Sequence, residues 1–236
     1  MSEGLLAPIS PQPIPDMVFD RISRAIIGGK LQPGQRLNEL AVAEEMGVSQ
    51  TSVREAFLRL ERHGLLVKFP RRATLVRTWN RTDLMEIASL RASLEGLAAR
   101  LACANLTAED SAALSATIAE MEAALQREDH DALIELDLAF HRQIWAIADH
   151  RLLAQTLDGM KLRTRLFMTI VRGYDVVDYP SQRRQLLDAL RSGDAEIAEQ
   201  CAISHVMEAA ELALEAMRDR EGLVAGAVAL REQAGY

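Results

Sequence analysis

From Trp79 to about residue 220 the chain repeats the pattern of α-helices. Apolar residues recur three and four positions apart, and no stretch alternates apolar and polar residues as a half-buried strand does. Hydrophobic residues make up 49% of the chain but aromatic ones only 4%, a mixture that favours packed helices. Sequences typical of helix starts are Thr82-Asp83, Thr107 with Asp110, Asp129 to Asp131, and Asp194. We predict an antiparallel all-α bundle with helices over about 82–104, 108–127, 131–148, 151–172, 180–192 and 194–220.

The residues before Trp79 combine short helices with tight turns. An amphipathic helix starts at Asp16, and Gly28-Gly29 closes it. The segment Leu31–Gly34 contains a proline and a glycine that suit a tight turn. Two further helices are predicted, over about 38–46 and 50–63.

A short connection joins these two helices, and a hairpin follows them. Gly47 ends the first helix, and Ser49 can cap the second because its side chain accepts hydrogen bonds from free backbone N–H groups. Segments over 65–69 and 73–76 are predicted strands, separated by the turn Pro70-Arg71-Arg72. This order predicts a winged helix-turn-helix with a basic-tipped wing, so the fold class is mainly α.

The change of pattern near residue 79 predicts two domains, in keeping with a length of 236 residues. The predicted segments are a flexible leader over 1–15, a winged helix-turn-helix domain over 16–78, an all-helical domain over 79–221 and a C-terminal tail over 222–236.

The cysteines and the hydropathy of the chain indicate the cellular compartment. Cys103 and Cys201 lie far apart, and neither has a second cysteine at metal-ligand spacing. No apolar run approaches the roughly 20 residues of a membrane span, and the Pro-rich start lacks the cations of a signal peptide. We expect a cytoplasmic protein that does not engage a membrane.

Charge is divided unevenly along the chain. The net charge is -7, yet residues 1–78 carry 11 Lys or Arg against 8 acids, whereas residues 79–236 carry 16 against 26. Seven bases and two acids fall within 49–77. The bases are Arg54, Arg59, Arg62, Lys68, Arg71, Arg72 and Arg77. A local cationic segment indicates a DNA-binding surface, although an ordinary solvated surface has the same composition.

The helix over 50–63 is suited to read DNA. The second helix of a helix-turn-helix enters the major groove and contacts bases with its N-terminal residues. Here polar residues lead the helix, while Val53, Phe57 and Leu60 lie on the opposite face. Arg54 can form a bidentate pair with guanine or bind a phosphate. The candidate DNA-binding residues are Arg36, Ser49, Gln50, Thr51, Arg54, Arg71 and Arg72.

This segment resembles the GntR family of transcriptional regulators. The resemblance covers residues 16–77 and rests on GKLQPGQRL from Gly29, GVSQTSVREA from Gly47 and LERHGL from Leu60. Two residues depart from the family pattern. Gln50 stands where relatives usually have Arg, and Ala73 stands where the wing usually has Gly. These departures affect the expected operator sequence rather than the fold.

The helical domain resembles the effector domain of the FadR branch, called FCD. The motifs are RASLE from Arg91, DLAFH from Asp137 and LLDALRSGD from Leu186. The resemblance implies an Asp and three His that face one cavity and hold a divalent metal beside a small carboxylate effector.

Two of the implied ligands share a helix face, because Asp137 and His141 are four residues apart. The resemblance places His205 as a third ligand of a metal such as Zn, Ni, Fe or Mn. Arg183 stands where the family has its middle His, and a guanidinium cannot coordinate a metal. Two hypotheses stay open: a metal held by the three residues, or direct pairing of Arg183, assisted by Arg91, with an effector carboxylate. A helix-surface ion pair and a core histidine are the plain structural alternatives.

The sequence therefore predicts a DNA-binding transcriptional regulator and not an enzyme. By resemblance it is a homodimer that binds an inverted-repeat operator in double-stranded DNA, and a repressor relieved by a small carboxylate metabolite. One alternative is a metal-dependent enzyme that uses Asp137, His141 and His205, with the DNA-binding module as an accessory. The other is a ligand-independent DNA-binding dimer.

Overall fold

The computed structural model of the protein describes residues 13–69, 73–171 and 179–233, apart from the side chains of 165–171, 179, 216 and 218–233. The chain divides into two compact units, Met1–Thr78 and Trp79–Tyr236. None of the described helices is both long and apolar enough to cross a membrane.

The first helix of the N-terminal unit, α1, spans Ile14–Ile27 and ends at Gly28. It starts two residues before Asp16, where the start of the helix was predicted. Pro15 lies in its first turn, where a missing backbone N–H costs nothing, so the proline belongs to the helix. α1 buries one apolar face, which includes Val18 and Ile22, and packs against α3.

The next two helices form the helix-turn-helix. α2 spans Glu39–Met46 and ends at Gly47, whose φ of 67° is a left-handed conformation that suits glycine. α3 spans Gln50–Arg62. Ser49 Oγ accepts a hydrogen bond from the Ser52 backbone N–H at 3.1 Å, which confirms the predicted cap.

A three-stranded antiparallel sheet completes this unit. Its strands are β1 (Arg36–Leu37), β2 (Leu66–Phe69) and β3 (Ala73–Val76), in the order β1-β3-β2. β2 and β3 confirm the predicted hairpin, but β1 was not predicted. A two-residue strand has too few positions to show alternation, and only its pairing with β3 defines it.

The second unit is all-helical over 79–171 and 179–233, as predicted. Its helices are α4 (Arg81–Asn105), α5 (Ala108–Gln126), α6 (His130–Ile147), α7 (Arg151–Val171), α8 (Tyr179–Arg191) and α9 (Ala195–Gln233). The cap of α5 is the predicted Thr107 with Asp110, whereas α4 is capped by Asn80 and Asp83 rather than starting at Thr82. The Asn80 amide side chain forms this capping box as well as a threonine would.

The last helix is longer than predicted, because α9 continues to Gln233 instead of ending near residue 220. The segment from Gly222 to Gln233 contains two glycines but no proline, and Ala, Leu, Glu and Arg are good helix formers. Its composition therefore allows the helix to continue.

The long helices α4 and α9 approach each other closely at Gly96. A Cβ atom added at this position would lie 2.8 Å from Cγ1 of Ile203 on α9. The missing side chain lets the two helices pack closely, and the small residues Ala92 and Ala99 of α4 and Ala202 of α9 are also buried. This contact brings the residues of α4 close to those of α9.

Candidate functional site

The start of α3 presents polar side chains to solvent. Ser49, Gln50, Thr51 and Arg54 are exposed. On the opposite face Val53, Ala56, Phe57 and Leu60 are buried in the core of the unit. This polar start on an apolar back is the geometry of a helix that enters a DNA groove.

Glu39, which the sequence analysis missed, ties three elements together at this surface. Its carboxylate, at the start of α2, accepts hydrogen bonds from Arg54 Nε of α3 at 3.0 Å and from Lys68 Nζ of β2 at 3.5 Å. Burial acts to raise the pKa of Glu39, but the hydrogen bond and charge of Arg54 and the charge of Lys68 lower it below the usual value. The only sequence signal was an acid in the first turn of a helix.

A groove of about 260 Å³ lies beside this ion-pair cluster. Arg36 of β1, Gln50 of α3 and Lys68 of β2 contribute to its lining. Arg36 is exposed, as a DNA contact requires. The wing-tip residues Arg71 and Arg72 lie outside the described residues.

One base of the segment over 49–77, Arg59, lies away from the surface formed by Arg54 and Lys68. Arg59 turns toward α1, where it pairs with Asp16 and lies 4.4 Å from the ring centroid of Phe19. Side chains on successive positions of α3 point in different directions, so a count of charges along the sequence overstated the cationic surface. Arg59 therefore holds α1 to α3.

In the helical unit the five candidate effector-binding residues are all buried. Arg91, Asp137, His141, Arg183 and His205 come from α4, α6, α8 and α9, and none is more than 7% exposed. Arg183 Nε donates to Asp137 Oδ1 at 2.6 Å, and His141 Nε2 lies 4.0 Å from the same oxygen. The plain alternative of a surface ion pair does not hold for Asp137 and His141, because both are buried.

Glu95 is the centre of a second buried group, and the sequence analysis quoted it only as part of a motif. Its carboxylate accepts from Arg91 Nε at 3.2 Å and Trp145 Nε1 at 2.7 Å, and lies 3.1 Å from His141 Nδ1. Burial acts to raise the pKa of Glu95, but the charge and hydrogen bond of His141 and the charge of Arg91 outweigh it and lower the pKa to about 2. An ionised carboxylate only accepts hydrogen bonds, so the facing Nδ1 carries the proton and Nε2 points away from Glu95.

Asp137 Oδ2, His141 Nε2 and His205 Nδ1 are buried and have no hydrogen-bond partner among the described residues. Burial lowers the pKa of His205 to about 3, with further lowering by the positive charges of Arg183 and His141. Burial acts to raise the pKa of Asp137, but the charges of Arg183 and His141 outweigh it and keep the pKa below its usual value. Unsatisfied buried polar atoms are rare in proteins and are typical of sites that bind a ligand.

The expected divalent metal does not fit these residues as they are arranged. No group of three or more His, Cys, Asp or Glu in the described part of the chain is placed to hold a metal ion. The Arg183 guanidinium contacts the Asp137 carboxylate that would have to be a ligand, and its positive charge repels a cation there.

An exposed polar helix start on a winged helix-turn-helix, followed by an all-helical unit with a buried polar cluster, is typical of helix-turn-helix transcriptional regulators. The profile of "Bacterial regulatory proteins, gntR family" matches residues 15–76, and that of "FCD domain" matches residues 86–209. The chain belongs to the GntR family of bacterial transcriptional regulators, in the branch with an FCD domain.

Individual relatives agree with this assignment. The probable D-xylose utilization operon transcriptional repressor of Paenarthrobacter nicotinovorans is 29% identical, over 82% of this chain and 85% of its own. The HTH-type transcriptional repressor RspR of Escherichia coli is 26% identical, over 85% of this chain and 89% of its own. The solved structure of E. coli McbR/YncC has a TM-score of 0.72 and 25% identity, and the match covers 87% of this chain and 99% of that chain. The family and these relatives are transcriptional regulators, so the enzyme alternative is excluded.

Proposed function

We propose that the protein is a homodimeric repressor that binds an inverted-repeat operator and releases it when a small carboxylate metabolite enters the helical unit. The two relatives described above as repressors support repression rather than activation, and one of them is named for a sugar utilization operon. The observation that carries the DNA-binding part is the exposed row Ser49, Gln50, Thr51 and Arg54 at the start of α3.

On the DNA side, α3 enters the major groove with its first turn. Gln50 and Thr51 contact base edges, and Arg54 contacts guanine or phosphate. Arg36 and Ser49 contact the backbone nearby. Arg71 and Arg72 of the wing enter the adjacent minor groove or bind phosphate. A two-fold dimer presents two such helices, which matches an inverted repeat.

On the effector side, the buried cluster of Arg91, Asp137, His141, Arg183 and His205 forms the binding site. The carboxylate of the effector is attracted by the two guanidinium groups. The Asp137 carboxyl is ionised, so its Oδ2 can only accept a hydrogen bond, and it has no partner among the described residues. An effector that also donates a hydrogen bond satisfies it. We therefore favour a small hydroxy-carboxylate over a simple fatty acid.

Binding at this site can switch DNA affinity only if the effector prefers one arrangement of the dimer over another. A ligand with equal affinity for both arrangements would change nothing. The ligand-independent alternative corresponds to an effector site that never binds a metabolite.

The DNA-binding proposal is tested by selecting bound duplexes from a random pool with the purified full-length protein. We expect an inverted repeat, and at least tenfold weaker binding of the Arg54→Ala protein to the selected duplex. Arg100→Ala is the matched control, because Arg100 is exposed on α4 and pairs with Glu199 in the helical unit. Absence of any salt-sensitive affinity for duplex DNA would contradict the proposal.

The effector proposal is tested by titrating small organic acids into the protein bound to its selected operator. Each acid is compared with its deoxy analogue, and each titration is repeated with a chelator. We expect release by a hydroxylated acid, unaffected by chelator and lost in Arg183→Ala. Release that is abolished by chelator and unchanged in Arg183→Ala would rule out the direct pairing. If no acid releases the operator, the ligand-independent alternative is preferred.

A further inference from the structure

The ion pair between Asp137 on α6 and Arg183 on α8 is in contact with an imidazole and lies beside a second one. We propose that the Arg183 guanidinium is a built-in replacement for a bound divalent cation, so that the effector site works without metal, and that replacing this one residue by histidine converts the site into a metal centre. The inference rests on the proposed function only in taking this cluster as the effector site.

The first argument is the position of the guanidinium. Its Nε, rather than a terminal nitrogen, donates to Asp137 Oδ1 at 2.6 Å, and the same oxygen lies 4.0 Å from His141 Nε2. The positive charge of Arg183 thus lies where a cation coordinated by the Asp137 carboxylate would lie. A cation that approached Asp137 from this side would have to displace it.

The second argument is charge balance. Among the described side chains of the cluster, two carboxylates (Asp137 and Glu95) are each paired with one guanidinium (Arg183 and Arg91). All four are at least nine-tenths buried. A divalent cation added here would bring two uncompensated positive charges into a poorly solvated interior.

The third argument is permanence. A guanidinium does not lose its proton in proteins, so this cation cannot be removed by pH or by a chelator. Its helix is anchored, because Leu186, Leu187 and Leu190 of α8 are almost fully buried in the core of the unit. The positive charge beside Asp137 is therefore fixed in place before any ligand arrives.

The conversion to a metal centre follows from the same geometry. The Nε atom of arginine and the Nε2 atom of histidine lie at comparable distances from Cα, so an imidazole at position 183 would place a ring nitrogen near Asp137. The atoms Asp137 Oδ2, His141 Nε2 and His205 Nδ1 have no hydrogen-bond partner among the described residues. As they stand they are not placed to hold a metal, so the conversion requires that these side chains turn toward the new imidazole and that His141 binds as the neutral ring. One carboxylate and three imidazoles suit Zn²⁺, Ni²⁺ or Co²⁺.

The test measures metal binding by the full-length protein after exhaustive chelation, with Zn²⁺, Ni²⁺ and Co²⁺ titrated separately. The proteins compared are wild type, Arg183→His, Arg183→Gln and the double variant Arg183→His/His205→Ala. We expect that wild type and Arg183→Gln retain far less than one ion per chain. Arg183→His should bind one ion per chain about tenfold or more tightly than the other proteins, show the visible absorption of coordinated Co²⁺ and melt at a higher temperature with metal.

Two results would overturn the inference. One is a wild-type protein that binds one metal ion per chain and loses it on Asp137→Asn. The other is a folded Arg183→His protein that binds no more metal than Arg183→Gln. If Arg183→His does not fold, the wild-type measurement still decides whether the natural site binds a metal ion. The titrations need neither operator nor effector, so their outcome is distinguishable from a failure of the proposed function.

Discussion

At the scale of single residues, the interior of the helical unit depends on charges that are paired with one another. Asp137 is fully buried, and its ionised form is maintained by Arg183, which itself has only 4% of its surface exposed. Removing one partner of such a pair leaves an uncompensated charge in the interior, whereas replacing both by apolar residues need not be costly.

We expect Arg183→Ala to lower the free energy of unfolding by about 3–5 kcal/mol, the usual cost of breaking a buried ion pair. The double variant Arg183→Met/Asp137→Leu should recover most of this loss because neither charge of the pair remains. Urea unfolding followed by circular dichroism measures both values. Equal losses in the single and double variants would show that the charge of Asp137 is not the cause.

His205 should make stability depend on pH. Burial, with the positive charges of Arg183 and His141, lowers the pKa of His205 to about 3, whereas an unfolded chain has the ordinary value near 6.5. Its contribution is therefore complete above about pH 6.5 and is lost as the pH falls toward 3, because only the unfolded chain takes up the proton. Between pH 7 and 5 we expect wild type to lose about 2 kcal/mol more than His205→Gln in chemical unfolding. Parallel pH profiles for the two proteins would contradict this.

At the scale of secondary-structure elements, single side chains set how helices and strands meet. The Glu39 carboxylate at the start of α2 holds Arg54 of α3 and Lys68 of β2. Gly96 permits the close contact of α4 with α9. Neither role is visible along the chain, because the partners of Glu39 are 15 and 29 residues away and Ile203 is more than one hundred residues from Gly96.

Glu39→Gln should reduce the specificity of DNA binding more than its strength. A glutamine keeps one acceptor oxygen but loses the negative charge, so Arg54 and Lys68 are held less firmly, while a repulsive charge near the phosphates disappears. We expect the ratio of operator to non-specific affinity to fall about fivefold, as for the loss of about 1 kcal/mol of pairing. Fluorescence anisotropy with operator and scrambled duplexes measures the ratio. Glu44→Gln, exposed on the same helix, is the control and should leave it unchanged.

Two glycines in helix interiors should respond in opposite directions to alanine. Gly96→Ala forces a Cβ to within 2.8 Å of Ile203 and should destabilise the helical unit by about 1–3 kcal/mol, less the gain in helix propensity. Gly159→Ala on α7 meets nothing within 4 Å and should stabilise by about 0.5–1 kcal/mol. Thermal unfolding of both proteins measures the difference. Stabilisation by both substitutions would show that α4 and α9 separate easily at Gly96.

At the scale of the whole molecule, an acidic protein carries a locally basic DNA-binding unit. The net charge of -7 arises from the helical unit, while the residues up to Thr78 have three more bases than acids. Binding to a polyanion depends on local charge more than on the total.

We expect operator affinity to fall steeply with salt despite the acidic total charge. For six to ten phosphate contacts, the loss between 50 and 200 mM salt would be about 10³- to 10⁵-fold. Arg54→Ala should make the slope of log affinity against log salt shallower by about one if this side chain contacts a phosphate, and leave it unchanged if it contacts a base. A wild-type affinity that does not depend on salt would contradict the proposed surface.

The sequence alone determined the local features of this protein. Helix periods, the turn at Gly47, the Ser49 cap and the hairpin each depend on residues a few positions apart, so they could be predicted. The family motifs also indicated Asp137, His141, Arg183 and His205 as neighbours. The sequence did not reveal where α9 ends, because no proline follows residue 220 and helix-forming residues continue beyond it.

Only the tertiary structure decided the interactions between distant segments. Strand β1 exists because it pairs with β3, Arg59 turns to α1 rather than to DNA, and Glu95 joins α4 to α6 through His141 and Trp145. The pairing of Arg183 with Asp137 spans 46 residues and sets both the charge of the cluster and its poor fit for a metal. The physical reason is that side-chain contacts and burial depend on how helices pack, which no local pattern of residues records.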